Sequence, residues 1–255
     1  MNFFLPPAGV LTKCCLQFIF ISFIFFKTSF AADPQSCFTE NKGQIVDQFA
    51  HQRSDIKFVY VQGSFKLFLK SNGFSYELVN QPALAAIDEA TGFEDESFEK
   101  DANDGVSKLS VSRIDITLKN CNPHPVIEAR DTAPFYQNYY NHLTGAQGIT
   151  GVKSFRQIVY NEVYPHIDLV FTITSDKKKP EYSFILHPGS DPGKIQMSYA
   201  GAGNKFFDSE NGFTMKVKEG SLYESRPVGF YEHEEQNGVL LNFQLKNNTL
   251  SLAPF

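Results

Sequence analysis

Two carboxylates occupy positions from which strand pairing could bring them face to face: Asp168 in "IDLVFTIT" and Glu181 in "EYSFILH". Glycoside hydrolysis needs such a pair, one acting as acid and the other as base or nucleophile. The alternative is a pair of polar residues on the solvated face of a sheet. Asp168 is then structural, since a covered carboxylate must find donors, and Arg156, Lys153 or a backbone amide could supply them. A second candidate is "NYYN", Asn138, Tyr139, Tyr140 and Asn141. A tyrosine offers a flat ring and a hydroxyl, which suits a sugar, although the same residues could pack a loop onto the domain. A third is "FTENKGQ", where Glu40, Asn41, Lys42 and Gln44 surround Gly43. This run fits a structural fastener better than a catalytic loop, because it can satisfy backbone groups where a first strand docks.

Other chemistries lack their patterns. The six histidines form no His-x-His or His-Glu-x-x-His pair, so no zinc site is expected. "DANDG" (101–105) has its glycine fifth and a serine twelfth, out of register for a calcium loop. No Gly-x-Ser-x-Gly is present, which removes the hydrolase nucleophile elbow. "PGSDPGK" lacks the Lys-Ser/Thr ending of a phosphate loop and reads as a turn. No cofactor and no metal are expected, and the chain reads as non-enzymatic.

The amino terminus addresses the protein to the exterior. Lys13 precedes the apolar run "CLQFIFISFIFF" and then "KTSFAA", the layout of a secretory signal that ends after Ala31. The run is shorter than the roughly 20 apolar residues of a spanning helix, so no stable membrane span is expected after cleavage. The expected organisation is a signal over 1–31 and one β-rich exported domain over 32–255. The expected location is the periplasm, cell surface or exterior. Cys14 and Cys15 leave with the signal, and Cys37 and Cys121 remain. An even pair in an oxidising compartment predicts a Cys37–Cys121 disulfide.

Formal charge is −5 over 255 residues, and loss of residues 1–31, which carry only Lys13 and Lys27, makes the balance more acidic. Nucleic acid, which needs a basic surface, is excluded as a partner. A surface glycan or an envelope protein fits better. The core must be aromatic without tryptophan, since the chain has 26 phenylalanines and 11 tyrosines.

The elements that position these residues have period two. "IKFVYVQ", "FKLFLKSNGFSYELV", "VSRIDITLK", "SFRQIVY", "IDLVFTIT" and "EYSFILH" read as strands. Asn72-Gly73, Asn211-Gly212 and Asn237-Gly238 mark hairpins, and "KNNTLSL" marks a further turn. "QPALAAIDEATG" is the one helix candidate. Residues 94–104 form an acidic, exposed insertion. The predicted class is all-β, an antiparallel sandwich-like domain with a short helix and long loops.

Several separated motifs agree with one family. "FTENKGQ", "NYYNHLTG", "SFRQIVYNEVYPHIDLVF" and "EYSFILHPGSDPGKIQMSYAGA" occur in order. Together they resemble the amino-terminal β-rich domain of bacterial exported proteins that precedes SBBP-type β-propeller repeats or a secretion sorting domain. The family's glycine before "I-D-L" is His166 here, and family members continue into repeats where this sequence stops at "LSLAPF". The resemblance implies an extracellular module in adhesion, structure or capping, in a stand-alone or shortened form, and supplies no catalytic residues.

Overall fold

A computed structural model describes residues 16–19, 36–80, 110–174, 179–203, 205–208, 212–225, 228–231, 239–240 and 243–252. The expected helix, the acidic insertion, most of the signal segment and the Asn237-Gly238 turn lie outside these residues. Strands run β1 Leu16–Ile19, β2 Phe38–Glu40, β3 Ile56–Gln62, β4 Phe65–Lys70, β5 Gly73–Asn80 and β6 Ser110–Leu118. Next come β7 Val126–Tyr139, β8 Ile149–Tyr164, β9 Ile167–Ile173, β10 Pro180–Leu186 and β11 Gln196–Ala200. The series ends with β12 Lys205–Asp208, β13 Gly212–Val217, β14 Gly220–Ser225, β15 Val228–Tyr231, β16 Val239–Leu240, β17 Phe243–Lys246 and β18 Thr249–Leu252. A 3-10 turn, Pro192–Lys194, is the one described helical element.

The fold is all-β and antiparallel, as the period-two pattern predicts. One sheet runs β16-β15-β1-β10-β9-β8-β2-β3-β4-β5-β6-β11-β18-β17 and curls on itself, with β7 paired to β8. The strands β12-β13-β14 form a second, small sheet. Strand β1 comes from the apolar amino-terminal run and lies between β10 and β15.

Alternation decides what faces inward. Phe65, Leu67 and Leu69 of β4, Phe74, Tyr76 and Leu78 of β5, and Ile114, Ile116 and Leu118 of β6 are all buried. From the other side of the curl come Leu169 and Phe171 of β9 and Tyr182, Phe184 and Leu186 of β10. Each fully buried aromatic or aliphatic side chain contributes about 1.5–3 kcal/mol.

The turns work in two ways. At β17–β18, Asn247 (φ +49°) and Asn248 (φ +61°) are both left-handed, the two-residue hairpin that matches strand twist. At β4–β5 the turn is Ser71-Asn72, and Gly73 is already the first residue of β5. Its φ is +155°, and a Cβ there would lie 2.1 Å from the Ile116 carbonyl oxygen. Gly73 is needed for the close approach of β6 rather than for the turn itself.

The β8–β9 connection is Pro165-His166, with His166 at φ +60°. Proline followed by a positive-φ residue is the type II arrangement, which favours glycine second. His166→Gly is expected to raise stability by about 1 kcal/mol, read as an upward shift of the urea midpoint. A downward shift would mean that the imidazole contributes more than its backbone strain costs.

The expected Cys37–Cys121 bridge does not form. Both cysteines are free thiols, and burial raises the pKa of each. Cys37 precedes Phe38, which pairs with Phe155, whereas Asn122 donates its amide to Val163. The two thiols therefore sit about seven residues apart along β8, roughly 20 Å at strand rise, when a disulfide needs Cα atoms within about 7 Å.

Candidate functional site

Asp168 and Glu181 do not meet. Asp168 lies opposite Ile185 and Glu181 opposite Thr172. An offset of four residues is roughly 13 Å along the strand, beyond the ~5–9.5 Å over which two carboxyl groups share one glycosidic bond. Asp168 has specific partners instead. Strand β8 bulges between Tyr160 and Tyr164, with Glu162 at φ +49°. Asp168 Oδ1 accepts the Glu162 amide at 2.7 Å, and Oδ2 faces His187 Nε2 at 2.7 Å. Of the donors foreseen, a backbone amide serves, that of Glu162, whereas the Arg156 side chain pairs with Asp131 at 3.4 Å.

Asp168→Asn keeps the shape and loses the charge-assisted bond. The expected cost is about 1–3 kcal/mol, seen as a lower denaturation midpoint. An unchanged midpoint combined with lost turnover of a glycosidase substrate would favour the hydrolase reading.

The "ENKGQ" run is hydrogen-bonded throughout. Asn41 Nδ2 donates to the Arg53 and Ile56 carbonyls at 2.8 and 2.9 Å, and its Oδ1 accepts the Gly43 amide at 2.9 Å. Lys42 Nζ reaches the Gly151 carbonyl at 2.8 Å and lies 3.3 Å from Glu40. Gln44 Nε2 donates to the Glu40 carbonyl, and its Oε1 accepts the Lys42 amide. These contacts hold a short hairpin over residues 45–53, closed by the Val46–Gln52 bridge and by Arg53 N to Ile45 O at 2.9 Å. Asp47 Oδ1 accepts the Phe49 and His51 amides within it, and those bonds keep the Asp47 carboxyl below its ordinary range. Asn41→Ala is expected to cost about 1–3 kcal/mol, because carbonyl and amide partners lose their mates together. Faster amide exchange at Arg53 and Ile56 would locate that loss. Unchanged exchange would show that the hairpin stands without Asn41.

The hairpin overhangs the outer face of β3–β6 and walls a groove of about 670 Å³. Its floor is two rows of side chains that cross the strands. Val61, Lys66, Glu77 and Arg113 are successive cross-strand partners, and Val59 and Phe68 line the groove from the next row, which continues beyond it into Ser75 and Asp115. Lys66 pairs with Glu77 at 3.0 Å. Asp115 receives Lys70 at 2.8 Å, Arg113 at 3.1 Å and the Ser75 hydroxyl at 2.5 Å. These donors outweigh burial and hold its carboxyl down at about 2. The Arg113 guanidinium lies 5.7 Å from the centre of the Phe68 ring. Val61 and Val111 remain 53% and 48% exposed, unusual for valines on a sheet face.

The four residues of "NYYN" divide by role. Asn138 Oδ1 accepts the Gly151 amide and Asn141 Oδ1 accepts the Leu143 amide, so both asparagines shape the loop. Tyr139 lines the groove. Tyr140 is 68% exposed, and a Cβ on Gly148 would come 2.5 Å from its ring. The ring therefore lies against a glycine backbone, with most of its surface open to solvent.

A buried centre that sequence reading missed lies between the two sheets. Glu224 of β14 is 3% exposed. Its Oε1 accepts from Tyr76 at 2.9 Å, and its Oε2 from Tyr182 at 3.1 Å and Tyr199 at 2.9 Å. The signal was present in "SLYES", where alternation puts Glu224 on the same face as the buried Leu222. Among the described residues, no three histidine, cysteine or carboxylate side chains gather as a metal site.

Comparison with curated proteins finds no match, and neither does comparison with solved structures. The sequence profile of a domain of unknown function, DUF7948, matches residues 38–254. That span opens at the first residue of the "FTENKGQ" run and closes just beyond β18, and the chain belongs to the DUF7948 family.

Proposed function

We propose that the protein is a non-enzymatic module of the bacterial exterior that works by binding, in adhesion or as the cap of a surface assembly. The groove under the 45–53 hairpin is its binding surface. The observation that carries this reading is the groove's construction. Its wall is fixed by Asn41, and its floor is set by strand register rather than by loops. A site held by packed elements needs little ordering on binding. The hydrolase alternative draws no support from the separation of Asp168 and Glu181.

The test uses the exported protein and envelope fragments of its native host. A Val61→Arg/Val111→Arg variant changes two exposed positions, so its fold should persist. The expected result is retention of the wild type on the fragments and at least tenfold weaker retention of the variant. Equal retention, or none for either protein, would overturn the proposal. Intact mass should show loss of about thirty residues on export. In that form β10 loses the β1 partner that the full chain provides.

A further inference from the structure

We infer that the groove takes a neutral oligosaccharide chain laid across strands β3 to β6, with Tyr139 as a stacking ring at its wall. This rests on the binding-module reading above and names the ligand class of the same site.

Four features of the site converge on that class. The floor is long in one direction only. Val61, Lys66, Glu77 and Arg113 come from four adjacent strands, and strands spaced about 4.8 Å apart make a track of roughly 15 Å across the sheet. A chain molecule fits such a track better than a compact one. The volume of about 670 Å³ also lies within the ~300–1,000 Å³ range of ligand sites.

The charges of the floor are already matched. Each charge has an ionic partner: Lys66 has Glu77, Arg113 shares Asp115 with Lys70, and on the wall Arg53 holds Asp55 with two hydrogen bonds of 2.8 and 2.7 Å. A polyanion or polycation would have to break these pairs and leave charges unmatched, which is costly in a partly covered site. A polyhydroxylated neutral ligand leaves them intact, and it can use the spare acceptors of the carboxylates and the spare N–H groups of the cations.

Apolar and aromatic surface alternates with those polar rows. Val59, Val61, Val111 and the Tyr139 ring line the groove beside Lys66 and Glu77. Sugar rings have that same double character, apolar C–H faces rimmed by hydroxyls. Tyr140, propped on Gly148, offers a second ring next to Tyr139 in sequence.

A peptide strand is disfavoured by topology. Strand β3 is paired with β2 and β4, β4 with β3 and β5, β5 with β4 and β6, and β6 with β5 and β11. The groove floor therefore presents no free edge for a peptide to extend by main-chain hydrogen bonds.

The experiment treats the host envelope fragments in two ways before the retention assay. Periodate cleaves the vicinal diols of glycans, and proteinase removes polypeptide. The expected result is at least tenfold loss of retention after periodate and little change after proteinase. Millimolar cellohexaose, maltohexaose or mannohexaose should compete, while polygalacturonate should not. Tyr139→Ala should weaken retention at least fivefold with an unchanged melting temperature. Loss after proteinase with survival after periodate would overturn the glycan and leave the binding module standing. Competition by polygalacturonate alone would overturn the neutral class. Absence of any retention on untreated fragments would instead overturn the reading on which the inference rests.

Discussion

Glu224→Ala is expected to lower the free energy of unfolding by about 3–5 kcal/mol, and Glu224→Gln by clearly less. Three strands of the large sheet send a tyrosine to this one carboxyl: Tyr76 from β5, Tyr182 from β10 and Tyr199 from β11. Glu224 sits on the small sheet, so the cluster ties the two sheets together. Alanine leaves three hydroxyls buried without their acceptor and opens a cavity as well. Glutamine keeps the volume and one carbonyl acceptor. The pH dependence follows from the direction of the shift. Burial outweighs the three hydrogen bonds and raises the Glu224 pKa above its ordinary 4.5. A group raised on folding gives stability that is full below its unfolded value and is lost as pH climbs through its folded value. The wild type should therefore lose stability relative to Glu224→Gln as pH rises from about 4.5. Urea midpoints of both proteins across pH 4 to 9 test this. A wild type that gains on the glutamine variant with rising pH would mean that the tyrosines hold the carboxylate ionised. A loss under 1 kcal/mol for alanine would mean that the sheets dock without it.

The strands were legible because each is half buried. In "VSRIDITLK", Ile114, Ile116 and Leu118 face the core and Arg113 and Asp115 face out. Alternation assigns faces but not neighbours. That Val61, Lys66, Glu77 and Arg113 share one row depends on the registers of β3–β4, β4–β5 and β5–β6, fixed by turns and packing together. The groove was therefore written in the sequence one residue at a time and readable only after pairing. The Glu224 cluster failed for the same reason, since its partners lie 25, 42 and 148 residues away. Cysteine parity misled because it carries no geometry, and β8 keeps Cys37 and Cys121 apart.

Phe171→Ala should cost about 3–5 kcal/mol, the range for removing a buried aromatic ring. Without tryptophan, the core depends on smaller rings that touch one another. Phe171 is central among them, with ring centroids 5.3 Å from Phe74, 5.9 Å from Tyr160, 6.0 Å from Tyr182 and 6.4 Å from Phe38. Those neighbours belong to β5, β8, β10 and β2, so one side chain joins both sides of the curl. Phe171→Leu, which keeps most of the volume, should cost much less. Tyr160→Phe gives the contrast within the same cluster. The Tyr160 hydroxyl is buried with no hydrogen-bond partner among the described residues, and burial pushes its pKa far up. Removing it relieves an unmet desolvation cost, so the variant should be as stable as the wild type or up to about 1 kcal/mol more stable. Denaturant titrations with an unchanged slope would make the three variants comparable. Destabilisation by Tyr160→Phe would show that the hydroxyl has a partner. A small effect of Phe171→Ala would show that the core can collapse around the void. The opposite pair of outcomes would identify ring contact, rather than the Tyr160 hydroxyl, as what holds this cluster together. The same β5 carries Ser75 and Glu77 on its outer face, so a core that holds this strand in place also holds the floor of the groove.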